Sequence, residues 1–474
     1  MMSITKLFND DLKVVNIGSP SFKKDYEQQN IEYIHLEWSP PASGNLKMLH
    51  LINLLRPKMN IINEANQRVV EKIKAAEARL IALRPAYEMI PNMTKNTILH
   101  AGPPIEFKKM AGPMRGAIIG ALIYEGLAHD EKEALKLAES GDIIFDSAHH
   151  HDAVGPMAGI ISASMPVHVL YNIKNRNYSY CTVNEGLGKV LRYGANSIEV
   201  LKRLKWIEKT FMPIMNQALH LSGGIDVKSI ISQALHMGDE CHNRNKASTA
   251  LFLREIASHI LSTSYDNESK IECINFIKNN EHYFLNLSMP YAKLALDSAR
   301  NTKYSTVVVA MSRNGVDFGI QLAHSNDWYT APANQVKGLM FPGFVEEDAA
   351  PDIGDSAITE TCGIGGFAMG GSPAIVQFVG GVVKQAFDYS KSMHEITVGK
   401  HQVFTLPPID FMPTALGIEI TKVIETGILP IINTGMAHRL AGIGQVGAGL
   451  VNPPMECFEK ALIDFTKKMK EEME

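Results

Sequence analysis

The sequence predicts a mixed α/β protein of several domains: a small Rossmann-like unit at the N-terminus, then a mixed α/β body interrupted by a helical domain. Three observations predict it. A chain of 474 residues exceeds one ordinary core and suggests roughly two to four domains. Its opening alternates strand, glycine turn, amphipathic helix and strand. From about Ser197 to Arg300, apolar residues recur at spacings of three and four with almost no strand signal.

Val14-Val15-Asn16-Ile17-Gly18 reads as a buried strand ending in a glycine turn, Phe22 to Gln29 as a helix, and Ile31 to Leu36 as a second strand. No GxGxxG follows the first strand, so the order is Rossmann-like in outline only. Trp38-Ser39-Pro40-Pro41-Ala42 closes this unit, and Ile61 to Arg84 reads as one long helix. The N-terminal domain is therefore placed at 1–95. The first half of the body, 96–196, opens at His100-Ala101-Gly102-Pro103-Pro104. It holds a Gly- and Ala-rich helix over 116–127 and a second over 130–140, with Asp130 as N-cap and Glu133 three residues on. Strands are expected at 143–145, 165–171 and 178–183. The helical domain covers 197–300. The glycine-rich second half of the body, 301–474, carries strands at 306–310, 317–322 and 429–433. Asn314-Gly315 joins two of these as a type I′ hairpin signal.

Composition narrows the function. The hydrophobic fraction of 45% and charged fraction of 20% are those of a globular protein. The net charge is −4 and no basic stripe with interleaved aromatics exists, so nucleic acid is not an expected partner. The most apolar helical run, 116–127, is too short to cross a bilayer and contains Glu125. The first residues carry acids where a secretory signal is apolar. Five cysteines without CxxC spacing suggest reduced thiols and a cytoplasmic location.

Two polar clusters in this apolar chain are candidates for chemistry, because such groups are expensive to bury without partners. His149-His150-His151-Asp152 follows a short strand and precedes Gly155-Pro156. On an extended chain His149 and His151 point to one side, where they can serve a developing oxyanion, with Asp152 orienting one of them. The same residues suit zinc, or a solvated loop. Asp239-Glu240-Cys241-His242-Asn243-Arg244-Asn245 follows a helical run broken by Gly238. Asp239 and His242 share a face if the helix continues and then suit a divalent metal; Asn243 and Arg244 suit an anion. The bland alternative is a helix–helix turn.

Glycines supply two further signals. In Thr359 to Ser372, Gly363, Gly365, Gly366, Gly370 and Gly371 can expose N–H groups as an anion-binding nest, and Cys362 can be a nucleophile or a buried small residue. Gly442-Ile443-Gly444-Gln445-Val446-Gly447 is a literal GxGxxG, but too few residues follow for a dinucleotide fold, so NAD is rejected. The turn near Asn433, Thr434, Gly435 and His438 can still touch a ligand. Arg313, beside the predicted hairpin, and Arg192, in a helix led by Asn184-Glu185-Gly186, are candidate carboxylate binders or plain turn residues. There is no GxxxxGK[ST], HExxH, GxSxG or zinc-finger spacing.

GPPIEFKKMAGPMRGAIIGALIYEGLA, SAHHHDAVGPMAGIIS, GDECHNRN, AMSRNGVDFGI and NTGMAHRLAGIGQVGAGLVNPPMECF together resemble the YlbE/AllG family over nearly the whole chain. The resemblance implies a subunit of an oxamate carbamoyltransferase in anaerobic allantoin degradation, working with an FdrA-type partner and a third subunit. That reaction moves a carbamoyl group between oxalurate or oxamate and phosphate, so the ligands are small anions. An oligomer is expected, with no required cofactor; a divalent metal is the alternative. No residue roles come with the resemblance. On this reading His149 and His151 serve the carbonyl, the Gly363–Gly371 loop and Arg244 hold phosphate, and Arg313 or Arg192 holds the carboxylate. The Ser-x-Arg-Thr and His-Pro-x-Gln motifs of ordinary carbamoyltransferases are absent. The rival readings are a metal-dependent amidohydrolase and a non-catalytic assembly subunit.

Overall fold

A computed structural model describes residues 13–36 and 38–471; the acidic segment 1–12 lies outside the described residues. Strands β1 (Lys13–Ile17) and β2 (Glu32–Leu36) pair in parallel, joined by helix α1 (Lys23–Gln28), as the opening pattern predicts. Their pleat is inside out. Tyr33 on one face packs against Tyr26 of α1, and Asn16 there hydrogen-bonds His35. Val15, Ile17, Ile34 and Leu36 form the other face, and each is about half exposed or more.

Helix α2 (Met59–Ala75) ends nine residues before the predicted helix does. Residues Ala78–Pro85 are instead strand β3. Ala76 leaves helical geometry at ψ 130°, and pairing with a distant strand then decides the conformation over local periodicity. Next come β4 (Thr97–His100), α3 (Gly112–Tyr124), α4 (Glu131–Ser140) and β5 (Ile144–Ser147), with β4 and β5 parallel neighbours. Asp130 caps α4 as predicted, accepting from Glu133 N at 2.8 Å. Glu133 reaches one residue further back than a capping box requires, to His129 N at 2.7 Å. Gly116 lets α3 approach closely, since a Cβ there would lie 2.5 Å from Gly194 O. Strands β6 (Ala153–Val154), β7 (Pro166–Asn172) and β8 (Tyr178–Thr182) join β3 and the short β9 (Ile225–Asp226) in a sheet of order β6-β8-β7-β3-β9.

The predicted helical stretch contains α5 (Ile198–Trp206), α6 (Met212–Ser222), α7 (Val227–His236), α8 (Lys246–Leu261), α9 (Asn267–Asn279) and α10 (Leu285–Asp297). Helix α10 is buried from Leu285 to Leu296. It shares one core with the sheets on either side in sequence: Leu80, Phe211, Tyr283, Leu294, Val309 and Phe404 belong to the same apolar cluster.

Strands β10 (Val308–Asn314) and β11 (Asp317–Leu322) form the predicted hairpin, continued by β12 (Tyr329–Pro332). The turn is not type I′, which needs positive φ at both central residues. The two residues between the strands are Gly315, with φ +84°, and Val316, whose φ is not positive; Asn314 Oδ1 accepts from Val316 N and Asp317 N. After β13 (Lys337–Met340) and β14 (Ile353–Gly354) comes the single helical turn α11 (Ile358–Thr361). Strands β15 (Thr397–Leu406) and β16 (Met412–Ile418) pair next, a hairpin that sequence periodicity missed. Strand β17 (Ile432–Ala437) starts three residues later than expected and pairs antiparallel with β18 (Gln445–Val451). The literal GxGxxG therefore falls in a hairpin, not in a strand-to-helix turn.

Candidate functional site

The segment from Asp352 to Thr361 crosses the interior, and Asp352, Asp355, Ser356, Thr359, Glu360 and Thr361 are all buried. Each of its three acids anchors one polar knot.

Asp352 holds Arg313. Nε and Nη2 donate to the two carboxylate oxygens at 2.7 and 2.8 Å, Nη1 donates to Gly354 O and Ser356 Oγ, and Nη2 also donates to Thr434 Oγ1. All five guanidinium N–H groups are spent, so Arg313 has no fork left for a substrate carboxylate. The expected binding role is corrected to an internal tie.

Asp355 accepts from Gly102 N and Gly155 N at 2.8 Å and from Ser312 Oγ at 2.5 Å; His149 Nε2 lies 3.3 Å away. Burial pushes the Asp355 carboxyl up, but His149, Ser312 and the backbone donors outweigh it and leave the value lowered. Burial pushes the His149 imidazole below its ordinary value, against the pull of Asp355. Residues 148–151 form a 3-10 turn, not an extended strand, so His149 and His151 do not converge. His149 turns inward. His150 Nδ1 and His151 Nε2 instead meet opposite oxygens of Asp146, at 2.8 and 3.0 Å. Asp152 orients neither ring. It adopts φ +53°, and its carboxylate is half exposed, 4.0 Å from Arg300.

Glu360 gathers the third knot. Its Oε1 meets His242 Nδ1 at 2.7 Å, Gly366 N at 2.7 Å and Asn433 N at 3.4 Å; Oε2 accepts from Thr359 Oγ1. A carboxylate only accepts, so His242 donates to it from Nδ1 and keeps Nε2 clear of this contact. The loop presenting His242 is braced by its own acids. Glu240 accepts from His242 N and Arg244 N, while Asp239 accepts from Cys241 N and Ser248 N. Burial pushes Asp239 up to about 6 and Glu240 well above the ordinary range. Asp239 and His242 thus point to different partners, which corrects the expected metal pair. Among the described residues, no three His, Cys, Asp or Glu side chains are grouped to hold a metal.

The glycine run is not an open anion nest. Gly363 N donates to Glu360 O, Gly365 N to Glu240 O, Gly366 N to the Glu360 carboxylate and Gly370 N to Ser390 Oγ. The anion it cradles is Glu360 itself. A Cβ on Gly365 would lie 2.3 Å from Glu360 Oε1, which explains glycine there. Gly363 faces Ala415 O, away from the knot. Burial pushes the Cys362 thiol up to about 12, which excludes a ready nucleophile.

Of the sequence-predicted residues, His242, Asn243, Arg244, Gly365, Gly366 and Asn433 lie on the segments that meet at Glu360. Arg244 is half buried, and its guanidinium has no partner among the described residues. Arg192 donates Nε and Nη2 to Gly186 O, in a cleft with Asn184 and Glu185. His282, half-buried, is pushed down to about 3 by burial, with the charges of Arg192 and His242 adding. His438 sits past the end of β17, against Asp348 and Phe344, and does not join the knot. Sequence reasoning missed Asp146, Asp352, Asp355 and Glu360 as organisers. Glu360 had a signal, an acid set before a run of glycine N–H groups.

Glu185 makes the pH dependence of this cleft testable. Its carboxyl accepts from Leu191 N at 2.8 Å, and burial pushes it up to about 7. A folded value above the unfolded 4.5 contributes stability below pH 4.5 that is lost as pH rises through 7. Glu185→Gln should therefore gain thermal stability relative to wild type between pH 4.5 and 8. Parallel melting curves at both values would show the role absent.

A family model described as oxamate carbamoyltransferase subunit AllG matches residues 143–356. The chain is 44% identical over 465 residues to the uncharacterized protein YahG of Escherichia coli strain K12, covering 98% of each. It is 44% identical over 412 residues to the oxamate carbamoyltransferase subunit AllG of the same organism, covering 86% of this chain and 98% of that one. A crystal structure of a conserved protein of unknown function from Enterococcus faecalis V583 matches with a TM-score of 0.85 and 45% identity, covering 86% of this chain and 98% of that one.

Proposed function

This chain belongs to the AllG family, and from that premise we propose that it is a subunit of an oxamate carbamoyltransferase with its reaction centre at His242 and Glu360. The observation carrying the reading is an imidazole fixed by a buried carboxylate, two residues before an arginine whose guanidinium has no partner among the described residues.

The reaction class asks for those groups. A phosphate oxygen attacks the ureido carbon of oxalurate, and a C–O bond forms. The C–N bond to the oxamate nitrogen then breaks, giving carbamoyl phosphate. The proton lost by phosphate passes through His242 Nε2 to the leaving nitrogen, while Glu360 holds the ring through Nδ1. Arg244 binds phosphate as a fork, and Arg192 binds the oxalurate carboxylate. The role expected of His149 and His151 moves to His242, since His149 is closed off around Asp355 and His151 is bound to Asp146. The FdrA-like partner implied by the resemblance belongs to this proposal. The bare apolar face of β1 and β2 supports such an assembly, because monomers rarely leave a large apolar patch uncovered.

Thermal-shift titration with carbamoyl phosphate tests the site, first on the chain alone and then with its partner. Saturation at 100 times Kd adds about 2.7 kcal/mol of stability. The shift should appear in wild type and vanish in Arg244→Ala. Equal shifts in both would remove Arg244 from the site, and no shift in the complete assembly would defeat the reading.

A further inference from the structure

We infer that the Asn433 carboxamide is the specificity element of this site, reading the amide or ureido edge of the substrate. The inference rests on the reaction centre proposed at His242 and Glu360. Asn433 lies in β17, where its backbone N–H points to Glu360 Oε1, the oxygen that also holds His242. Its side chain is fully buried, and neither Oδ1 nor Nδ2 has a hydrogen-bond partner among the described residues. Its neighbour Thr434, on the opposite face of the strand, accepts from Arg313 Nη2 and donates to Gly435 O. Asn243, in the loop presenting His242, also has a buried Nδ2 without a partner among the described residues.

A buried carboxamide without partners is a cost that folding alone does not offset. A ligand offsets it if it presents a donor and an acceptor side by side in one plane. An amide or ureide does so: its N–H donates to Oδ1 and its C=O accepts from Nδ2. A methyl ketone of the same shape offers the acceptor only and leaves Oδ1 unpaired. Sites built to bond an N–H or O–H reject analogues lacking it far more strongly than apolar pockets reject a missing methylene.

Oxamate and pyruvate make the comparison, since they carry the same charge and differ by NH2 against CH3. Calorimetry on the assembled enzyme should show at least tenfold preference for oxamate in wild type, and near equality in Asn433→Leu. Asn433→Ala serves if the leucine variant does not fold. A merely structural asparagine would lower melting temperature and leave the ratio unchanged. Equal binding of both ligands by wild type, no binding of either, or an intact preference in the variants would overturn the inference. Oxalurate phosphorolysis, assayed in parallel, separates the two claims. Transfer without an Asn433-dependent preference sinks this inference alone; the preference without transfer sinks the proposed reaction alone.

Discussion

Arg313→Ala is expected to cost about 3–5 kcal/mol of folding stability, the range for breaking a buried ion pair from one side. The Asp352 carboxylate would remain with no exposed surface and without its bidentate partner. Gly354 O, Ser356 Oγ and Thr434 Oγ1 would each lose a donor. Arg313→Lys should recover little, because one ammonium cannot reproduce a planar fork reaching Asp352, Gly354 and Thr434 together. Replacing both charges by apolar residues of similar volume should recover much of the loss, since desolvation of the pair offsets most of its attraction. Urea unfolding of the three variants measures this. A loss below about 1 kcal/mol in Arg313→Ala would show that water reaches Asp352 and that the tie is not closed.

His242→Asn should lower carbamoyl transfer by about 100- to 10,000-fold, the usual worth of a positioned acid–base group. The asparagine amide can still donate to Glu360, so the fold around the knot should persist while the transferable proton is lost. The fall should lie mainly in kcat, with KM little changed. His151→Ala, in contrast, should stay within about threefold of wild type, a change well under 1 kcal/mol in barrier. Steady-state phosphorolysis by the assembled enzyme decides between them. An active His242→Asn beside a dead His151→Ala would return the chemistry to the 149–152 turn.

Much of this architecture could be read from residue pattern. The strand–helix–strand opening, the Asp130 cap, the helices between Ile198 and Asp297 and the Asn314-Gly315 reversal all rest on local preferences. What escaped was long-range. Ala78–Pro85 looks helical beside its neighbours and becomes a strand because β7 pairs with it. Strands β15 and β16 find each other across a bulge that blurs the alternation. The site shows the same division. His242, Arg244 and Asn433 stand out as polar residues in apolar surroundings, but no spacing reveals that His242 meets Glu360, 118 residues away. The histidine turn misled because periodicity assumed an extended chain, whereas a 3-10 turn sends consecutive rings to different acids.

Asp355 also has a consequence for how the protein is made. Its carboxylate neutralises donors at Gly102 and Gly155, which precede it by 253 and 200 residues. At synthesis rates of about 5–20 residues per second, those amides wait tens of seconds for their acceptor. Through that interval the nascent α/β segment holds the His149 turn without the carboxylate that fixes it. The first half of the chain therefore reaches its final packing only after the segment carrying Asp352, Asp355 and Glu360 has left the ribosome.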